Sequence, residues 1–330
     1  MAQISVRTGA PYARLLSTGA YRGSRVVDNA EMCTMIDSSD EWIQQRTGIS
    51  QRHWATEDET VRSMAVAACR QAIERAGLSA ADIDTIILAT VSNSQQMPSL
   101  ASYVAQDLGC TGPAMFDISA ACAGFCYGLG LADSLIRTGA AGHVLVVGVE
   151  KLTDTLDAHD RGTAFLFSDG AGAVVVGPSE EPAIGPVVWG SDPSQAEVLT
   201  IQSWRNLPEG QDHPHITMEG TKVFRWATTF IADRARETLE AAGLAPEDLD
   251  VFIPHQANNR ITDSMLRHLK LPKDVVVSRD IIQMGNSSAA SVPLALDAIL
   301  QSGEATSGQT ALLIGFGAGL AFAGQVVTLP

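Results

Sequence analysis

The sequence predicts an α/β fold built from two duplicated halves, and three observations point there. Strand-sized apolar runs alternate with helical ones: VRSMAVAACRQAIERAG, TIILATV, CAGFCYGLGLADSLIRTG, then HVLVVGV. That alternation is the pattern of largely parallel sheets covered by helices. AGLSAADIDTII from Ala76 and AGLAPEDLDVFI from Ala242 agree at six of twelve positions, 166 residues apart. A repeat of that length reads as a duplicated half rather than a solenoid. The 330-residue length accommodates two such units.

Near the start, Ser38 stands three residues before Glu41, a capping box that opens a helix at DEWIQQR. Trp42 and Arg46, four apart, share one face of it. The next helix, from Val61, closes at the C-capping glycine of AGLS; a short acidic loop leads into the strand TIILATV. DISAACAGFCYGLGLADSL then turns an apolar segment into a helix at Cys122, and HVLVVGV follows as a buried strand. The Pro-, Gly- and Glu-rich GPSEEPAIGP, Gly177–Pro186, marks the break between halves 1–180 and 181–330. In the second half GQTALLIG repeats GHVLVVG at the same offset, which also lays Cys122 onto Ser288 inside GNSSAAS.

Composition narrows the functional classes. A net charge of −15 argues against nucleic acid or anionic membrane as a general partner. The opening MAQISVRTGAPYARL has no signal-peptide core, and the apolar runs are too short to span a bilayer. The five cysteines form no CxxC pair, so a cytoplasmic protein with free thiols is expected.

Three residues invite a functional reading. A free cysteine is usually a small buried hydrophobe, and Cys33, Cys69, Cys110 and Cys126 are read that way. Cys122 differs: at a helix start beside Gly124, backbone amides and the helix dipole would favour a thiolate. His255 ends the strand of VFIPHQANNRI, followed by Gln256, Asn258 and Asn259. Asn286 sits in the glycine turn of MGNSSAASVPLAL, where asparagine also serves as an N-cap. Cysteine, then histidine 133 residues later, then asparagine, fits a papain-like hydrolase. The surrounding AACAGF lacks that family's C-G-[SA]-C-[WY] signature, which makes the hydrolase the weaker reading.

DISAACAGFCYGL, PHQANNRI and GNSSAASVPLAL together resemble β-ketoacyl-[acyl carrier protein] synthase III, a decarboxylating condensing enzyme of the thiolase superfamily. The resemblance extends to SSDEWIQQRTGISQRHWA, DRGTAFLFSDGAGAVVV and GFGAGLAFAG, so it covers essentially the whole chain. It implies a thiolase-like fold of layered αβαβα architecture, and an acyltransferase of fatty acid biosynthesis. Cys122 would take an acyl group from acyl-CoA, and malonyl-[acyl carrier protein] would then lose CO2 and condense with it. His255 and Asn286 would donate to the developing oxyanion, with the backbone N–H groups of Cys122 and Ala318 holding the other one.

The resemblance also implies a CoA site. Trp42 and Arg161 would flank the adenine with Arg46 nearby, and Gly220, Phe224, Ala257 and Asn258 would line the pantetheine tunnel. Arg225, Arg260 and Arg267, with Lys270 and Lys273, would meet the acidic carrier protein, so charge reversal at Arg260 should weaken carrier use while sparing acyl-CoA loading. The family is a homodimer in which a loop closes the partner's acyl pocket; SNSQQMPSL matches it, with Met97 where phenylalanine is frequent. A flexible thioether there implies tolerance for small branched or slightly longer primers. Neither a metal nor a cofactor is expected beyond the CoA thioester substrate. A priming ketosynthase of an aromatic polyketide pathway would share this chemistry. A thiolase would need a second catalytic cysteine late in the chain, and none follows Cys126. The glutamate base of a hydroxymethylglutaryl-CoA synthase has no matching motif, and a non-catalytic acyl-binding protein would not need Cys122 or His255.

Overall fold

The computed structural model describes residues 4–330. Two five-stranded sheets carry the fold. The first runs Tyr12–Arg22, Asp169–Ser179, Val144–Lys151, Thr85–Ala89, Ala114–Ile118. The second runs Val188–Ser191, Ala321–Thr328, Thr310–Gly317, Val251–Pro254, Val276–Val277. The orders correspond strand for strand, and the 166-residue offset carries Thr85 onto Val251 and Val144 onto Thr310.

The sheets are mixed rather than largely parallel. Thr85–Ala89 is parallel to both neighbours, whereas Asp169–Ser179 and Ala321–Thr328 are each antiparallel on both sides. For Ala321–Thr328 the reason is connection length. Only residues 318–320 separate Gly317 from Ala321, and a parallel crossover needs a dozen residues or more.

Successive strand residues face opposite sides, and here both sides are buried. Ile87 and Val146 point inward to the helices Gly124–Arg137 and Ser291–Gln301, which also pack on Ile253 and Leu313 of the second sheet. Ile86, Leu88 and Val147 point outward beneath helices Val61–Arg75 and Leu100–Leu108. Phe252, Leu312 and Ile314 likewise pack beneath Ala232–Ala241 and Asn259–Leu269. The result is the αβαβα layering. Between the halves, Asp297 of the buried helix accepts bonds from Arg75 Nη1 (2.5 Å) and Thr18 Oγ1 (2.6 Å).

Three local expectations change. The DEWIQQR helix spans Asp40–Thr47 and is capped by Ser39, which accepts the Trp42 N–H; the Ser38 hydroxyl is buried without a partner. With two adjacent serines, tertiary packing chose the second. Cys122 lies in a 3₁₀ turn, Ala121–Ala123, and the helix proper begins at Gly124. The matching turn is Ser288–Ala290 before Ser291, so the offset here is 167 and Ser288 is the counterpart of Ala121. Both hold left-handed φ, 45° at Ala121 and 48° at Ser288. Among the described residues no helix is long and apolar enough to cross a membrane.

Candidate active site

The strand Ala114–Ile118 delivers Cys122 to the interface of the halves, where the GFGAGL segment of the second half presses against it. A Cβ on Gly317 would lie 2.7 Å from the Cys122 sulfur, so only glycine allows this approach. The backbone N–H groups of Cys122 and of Ala318 both bond toward that sulfur. Cys122 is buried, and burial pushes its thiol up to about 11. The sequence expectation of a stabilised thiolate is thus corrected: the amides act in the expected direction, but desolvation outweighs them. Of the other cysteines, Cys69 and Cys126 are buried, while Cys33 and Cys110 are only half-buried.

His255 follows the strand Val251–Pro254, its N–H bonded to Ile314 O at 2.8 Å. Its Nδ1 lies 2.6 Å from Ser291 Oγ, and its ring meets Phe316 edge-on at 5.2 Å. The Gln256 N–H donates to that same Ser291 oxygen, leaving the serine hydrogen free to donate to Nδ1. With the serine donating in this way, the imidazole carries its proton on Nε2, the form that a donor at the cavity requires. Burial holds His255 down to about 3, so the ring is neutral. Gln256 braces the turn by donating to Pro254 O and accepting the Ile281 N–H.

Asn286 follows Gly285, whose φ of 79° is open to glycine at little cost. Its backbone bonds to Leu166 and Ser168. Its Oδ1 accepts the Ser288 N–H at 3.0 Å, which leaves Nδ2 as a free donor. The bond caps the 3₁₀ turn rather than the helix Ser291–Gln301.

Cys122, His255, Asn286, Phe316 and Gly317 line one cavity of about 720 Å³. Toward its mouth stand Trp42, Arg46, Arg161, Gly220, Phe224, Ala257, Asn258 and Arg260. The Arg161 guanidinium lies 4.8 Å and that of Arg46 5.4 Å from the Trp42 ring centre, a clamp suited to a flat, anionic group. Asn258 caps the helix Asn259–Leu269 and also donates to Arg46 O across the halves. Cys122 also borders a second cavity of about 300 Å³, lined by Val91, Leu152, Phe167, Leu199, Ile201 and Ile216 with Ser288 and Ala318.

The remaining predicted residues lie elsewhere. Arg267 lines a shallow depression with Asp263, Ser264 and Thr228, and Arg225 is exposed nearby. Arg260 borders both this depression and the large cavity, stacked 4.8 Å from the Phe224 centre. Met97 is 85% exposed and lines neither cavity. Sequence reasoning missed Ser291, which fixes His255, and Glu150, a fully buried carboxylate at the end of HVLVVGVEK. A lone acid closing an apolar run was the signal available for the latter.

Two family descriptions match the chain: 3-oxoacyl-[acyl-carrier-protein] synthase III over residues 116–193, and its C-terminal part over 239–329. Over full length on both sides, the chain is 55% identical to the β-ketoacyl-[acyl-carrier-protein] synthase III of Streptomyces glaucescens. It is 50% identical to the mycobacterial β-ketoacyl-[acyl-carrier-protein] synthase III of Mycobacterium tuberculosis, covering all of this chain and 99% of that protein. Among solved structures, the priming β-ketosynthase of the R1128 polyketide pathway superposes with a TM-score of 0.97 at 47% identity, over 100% and 99% of the chains. The 3-oxoacyl-[acyl-carrier-protein] synthase III of Aquifex aeolicus gives 0.89 at 39% identity, over 96% and 99%. With full-length relatives at this level of identity, and a thiol, an imidazole and a carboxamide lining one cavity, the chain belongs to the β-ketoacyl-[acyl-carrier-protein] synthase III family.

Proposed function

We propose that this protein condenses an acyl-CoA primer with malonyl-[acyl carrier protein] through an acyl-cysteine, initiating type II fatty acid synthesis. The observation that carries this reading is the meeting of Cys122, His255 and Asn286 at the floor of a channel whose mouth presents an indole beside two guanidiniums. The Cys122 sulfur attacks the primer thioester, and the amides of Cys122 and Ala318 hold the tetrahedral oxyanion while the bond to CoA sulfur breaks. In the second half-reaction the electrons of the malonyl C–CO2 bond move onto the thioester oxygen. There the Nε2–H of a neutral His255 and the Nδ2–H of Asn286 meet them. The enolate carbon then attacks the acyl-cysteine. This reaction asks for no resident cofactor.

The apolar chamber beside the sulfur suits the acyl chain, and at about 300 Å³ it offers far more room than an acetyl group fills. Primers larger than acetyl, branched ones included, are therefore part of this reading, with Met97 supplied to a partner subunit's pocket. A homodimer is supported by the strand Ala114–Ile118, which pairs on one side only and exposes Met115 and Phe116. Arg225, Arg260 and Arg267 would receive the acidic carrier, and the free thiols fit a cytoplasmic setting.

The test is intact-protein mass spectrometry after incubation with acetyl-, propionyl- and isobutyryl-CoA. Each should add one acyl group, lost in Cys122→Ala and released by malonyl-[acyl carrier protein] with CO2. Absence of any adduct on Cys122 would overturn the reading, and strict acetyl preference would overturn the primer range. Polyketide priming is favoured as a second reading by the 0.97 superposition on the R1128 priming ketosynthase. Comparing turnover with carrier proteins of the two pathways separates them.

A further inference from the structure

Arg52 is fully buried, yet the condensation described above does not use it. It lies on the strand Gln51–Trp54, where Arg52 and Trp54 share the buried face. Among the described residues its three hydrogen bonds all end on neutral oxygens. Nη1 donates to Val27 O at 3.1 Å, and Nη2 donates to Asn29 Oδ1 at 2.6 Å and to Phe165 O at 3.2 Å. Burial pulls the group down only to about 10, so it remains a cation at neutral pH. A charge withdrawn this completely from water is costly unless it is well bonded, and what these bonds hold is the site. Two residues along the strand, the Trp54 indole N–H donates to Phe167 O at 3.1 Å. At the alternate positions the same segment holds Asn286. Leu166 O accepts the Asn286 N–H, and the Ser168 N–H donates to Asn286 O, both at 2.9 Å. Residues 165–168 are thus clasped between two side-chain donors and the backbone of Asn286. The turn before Asn286 also rests on Arg52, since a Cβ on Gly285 would lie 2.8 Å from the Arg52 Cβ.

A second branch reaches the CoA clamp. Asn29, which accepts from Arg52, donates through Nδ2 to Asp40 Oδ1 at 2.7 Å and to Ile49 O at 2.8 Å. These bonds grip the helix Asp40–Thr47 at its first residue and just past its last, and that helix carries Trp42 and Arg46. Phe165, whose carbonyl Arg52 holds, sets its ring edge-on to Trp42 at 5.2 Å, and Arg161 lies four residues before it. One guanidinium therefore ties the helix that bears the indole to the segment that follows Arg161. Resting on the condensation proposed above, we propose that Arg52 is a positioning residue that fixes Asn286 and the Trp42 clamp together, with Trp54 bracing the Asn286 side and Asp40 the clamp side. Arg52 itself touches no substrate. Its planar fork spans Val27, Asn29 and Phe165 at once, and a lysine ammonium, a point charge without that fork, does not reproduce it. The two branches serve different half-reactions. Acyl-CoA brings an adenine to the clamp, whereas the carrier-borne malonyl thioester brings none and depends on the Asn286 amide for its enolate.

The experiment compares three full-length variants with the wild type by three readouts. These are CoA binding by calorimetry, loading of Cys122 at saturating acetyl-CoA by mass spectrometry, and CO2 release from saturating malonyl-[acyl carrier protein]. Arg52→Lys keeps the charge and loses the fork; it should weaken CoA binding and slow CO2 release, each by roughly tenfold. Trp54→Phe removes one N–H and should slow CO2 release by roughly fivefold with CoA affinity unchanged. Asp40→Ala, at an exposed position, should weaken CoA binding by roughly fivefold with CO2 release unchanged. Loading at saturation should stay within about twofold of wild type in all three, because Cys122 hangs on neither branch. Should Arg52→Lys fail to fold, the split between the other two carries the test. A parallel fall of all three readouts in Trp54→Phe and Asp40→Ala would mean a general loosening and overturn the proposal. So would Arg52→Lys with wild-type values throughout. A wild type that neither loads nor releases CO2 would sink the functional reading instead.

Discussion

His255 and Cys122 are each held neutral by burial, one pushed down to about 3 and the other up to about 11. Ion-pair activation of the sulfur by the imidazole is therefore disfavoured in the empty site, and the imidazole is free to act as a neutral donor. In the proposed reaction Asn286 shares that work. Asn286→Ala should lower the rate of malonyl decarboxylation by on the order of a hundredfold while sparing acyl loading of Cys122, as measured by CO2 release against mass increase. The three residues were legible as polar groups in unusual local settings: Cys122 at a small-residue turn before a helix, His255 after a buried strand and Asn286 in a glycine turn. Ser291 was not, since GNSSAAS offers three serines and only the fold says which one reaches His255. The protonation of Cys122 was misjudged for a related reason. Helix amides can be read from a local pattern, whereas desolvation depends on Gly317 and the whole second half closing over the sulfur.

At the scale of elements, the helix Asn259–Leu269 serves two surfaces at once. Its first turn places Arg260 on the wall of the channel, and its last turn places Arg267 outside it. Under the proposed function, charge reversal at Arg260 should therefore perturb CoA binding as well as carrier docking. Arg267→Glu is the separable change. It should raise KM for malonyl-[acyl carrier protein] about tenfold, in line with the loss of one or two charge contacts, and leave KM for acyl-CoA unchanged; steady-state kinetics with each substrate varied will check this. The helices themselves were well marked by their period and caps. The antiparallel strands were not, because Asp169–Ser179 reads as one more apolar run and nothing in its composition reports direction.

At the scale of the molecule, duplication was legible from twelve residues, yet its register slips from 166 to 167 at the turn that matters most. The proposed pairing of subunits belongs to this scale too. Phe116→Glu places a charge on the exposed edge strand and should convert a dimer to monomers, read by light scattering, with loss of condensation activity. Stability also has a global signature. Glu150 is raised by burial from its ordinary value to about 7, so the folded state binds its proton more tightly than the unfolded chain does. The sign follows: this group favours the fold most at low pH, and the advantage fades as pH rises from about 4.5 to about 7, by on the order of 3 kcal/mol. Glu150→Gln removes that dependence. Its melting temperature relative to wild type should therefore climb between pH 5 and pH 8, in scanning calorimetry of both proteins.

The sulfur borders both a small greasy chamber and a larger cavity that reaches the Trp42 clamp. Once the primer's tail is lodged in the chamber, spent CoA must back out along the route the carrier's arm needs to come in. Visitors therefore queue at a shared doorway. Excess free CoA should slow the reaction by blocking the carrier, and that traffic rule follows from the shape of the site before any chemistry begins.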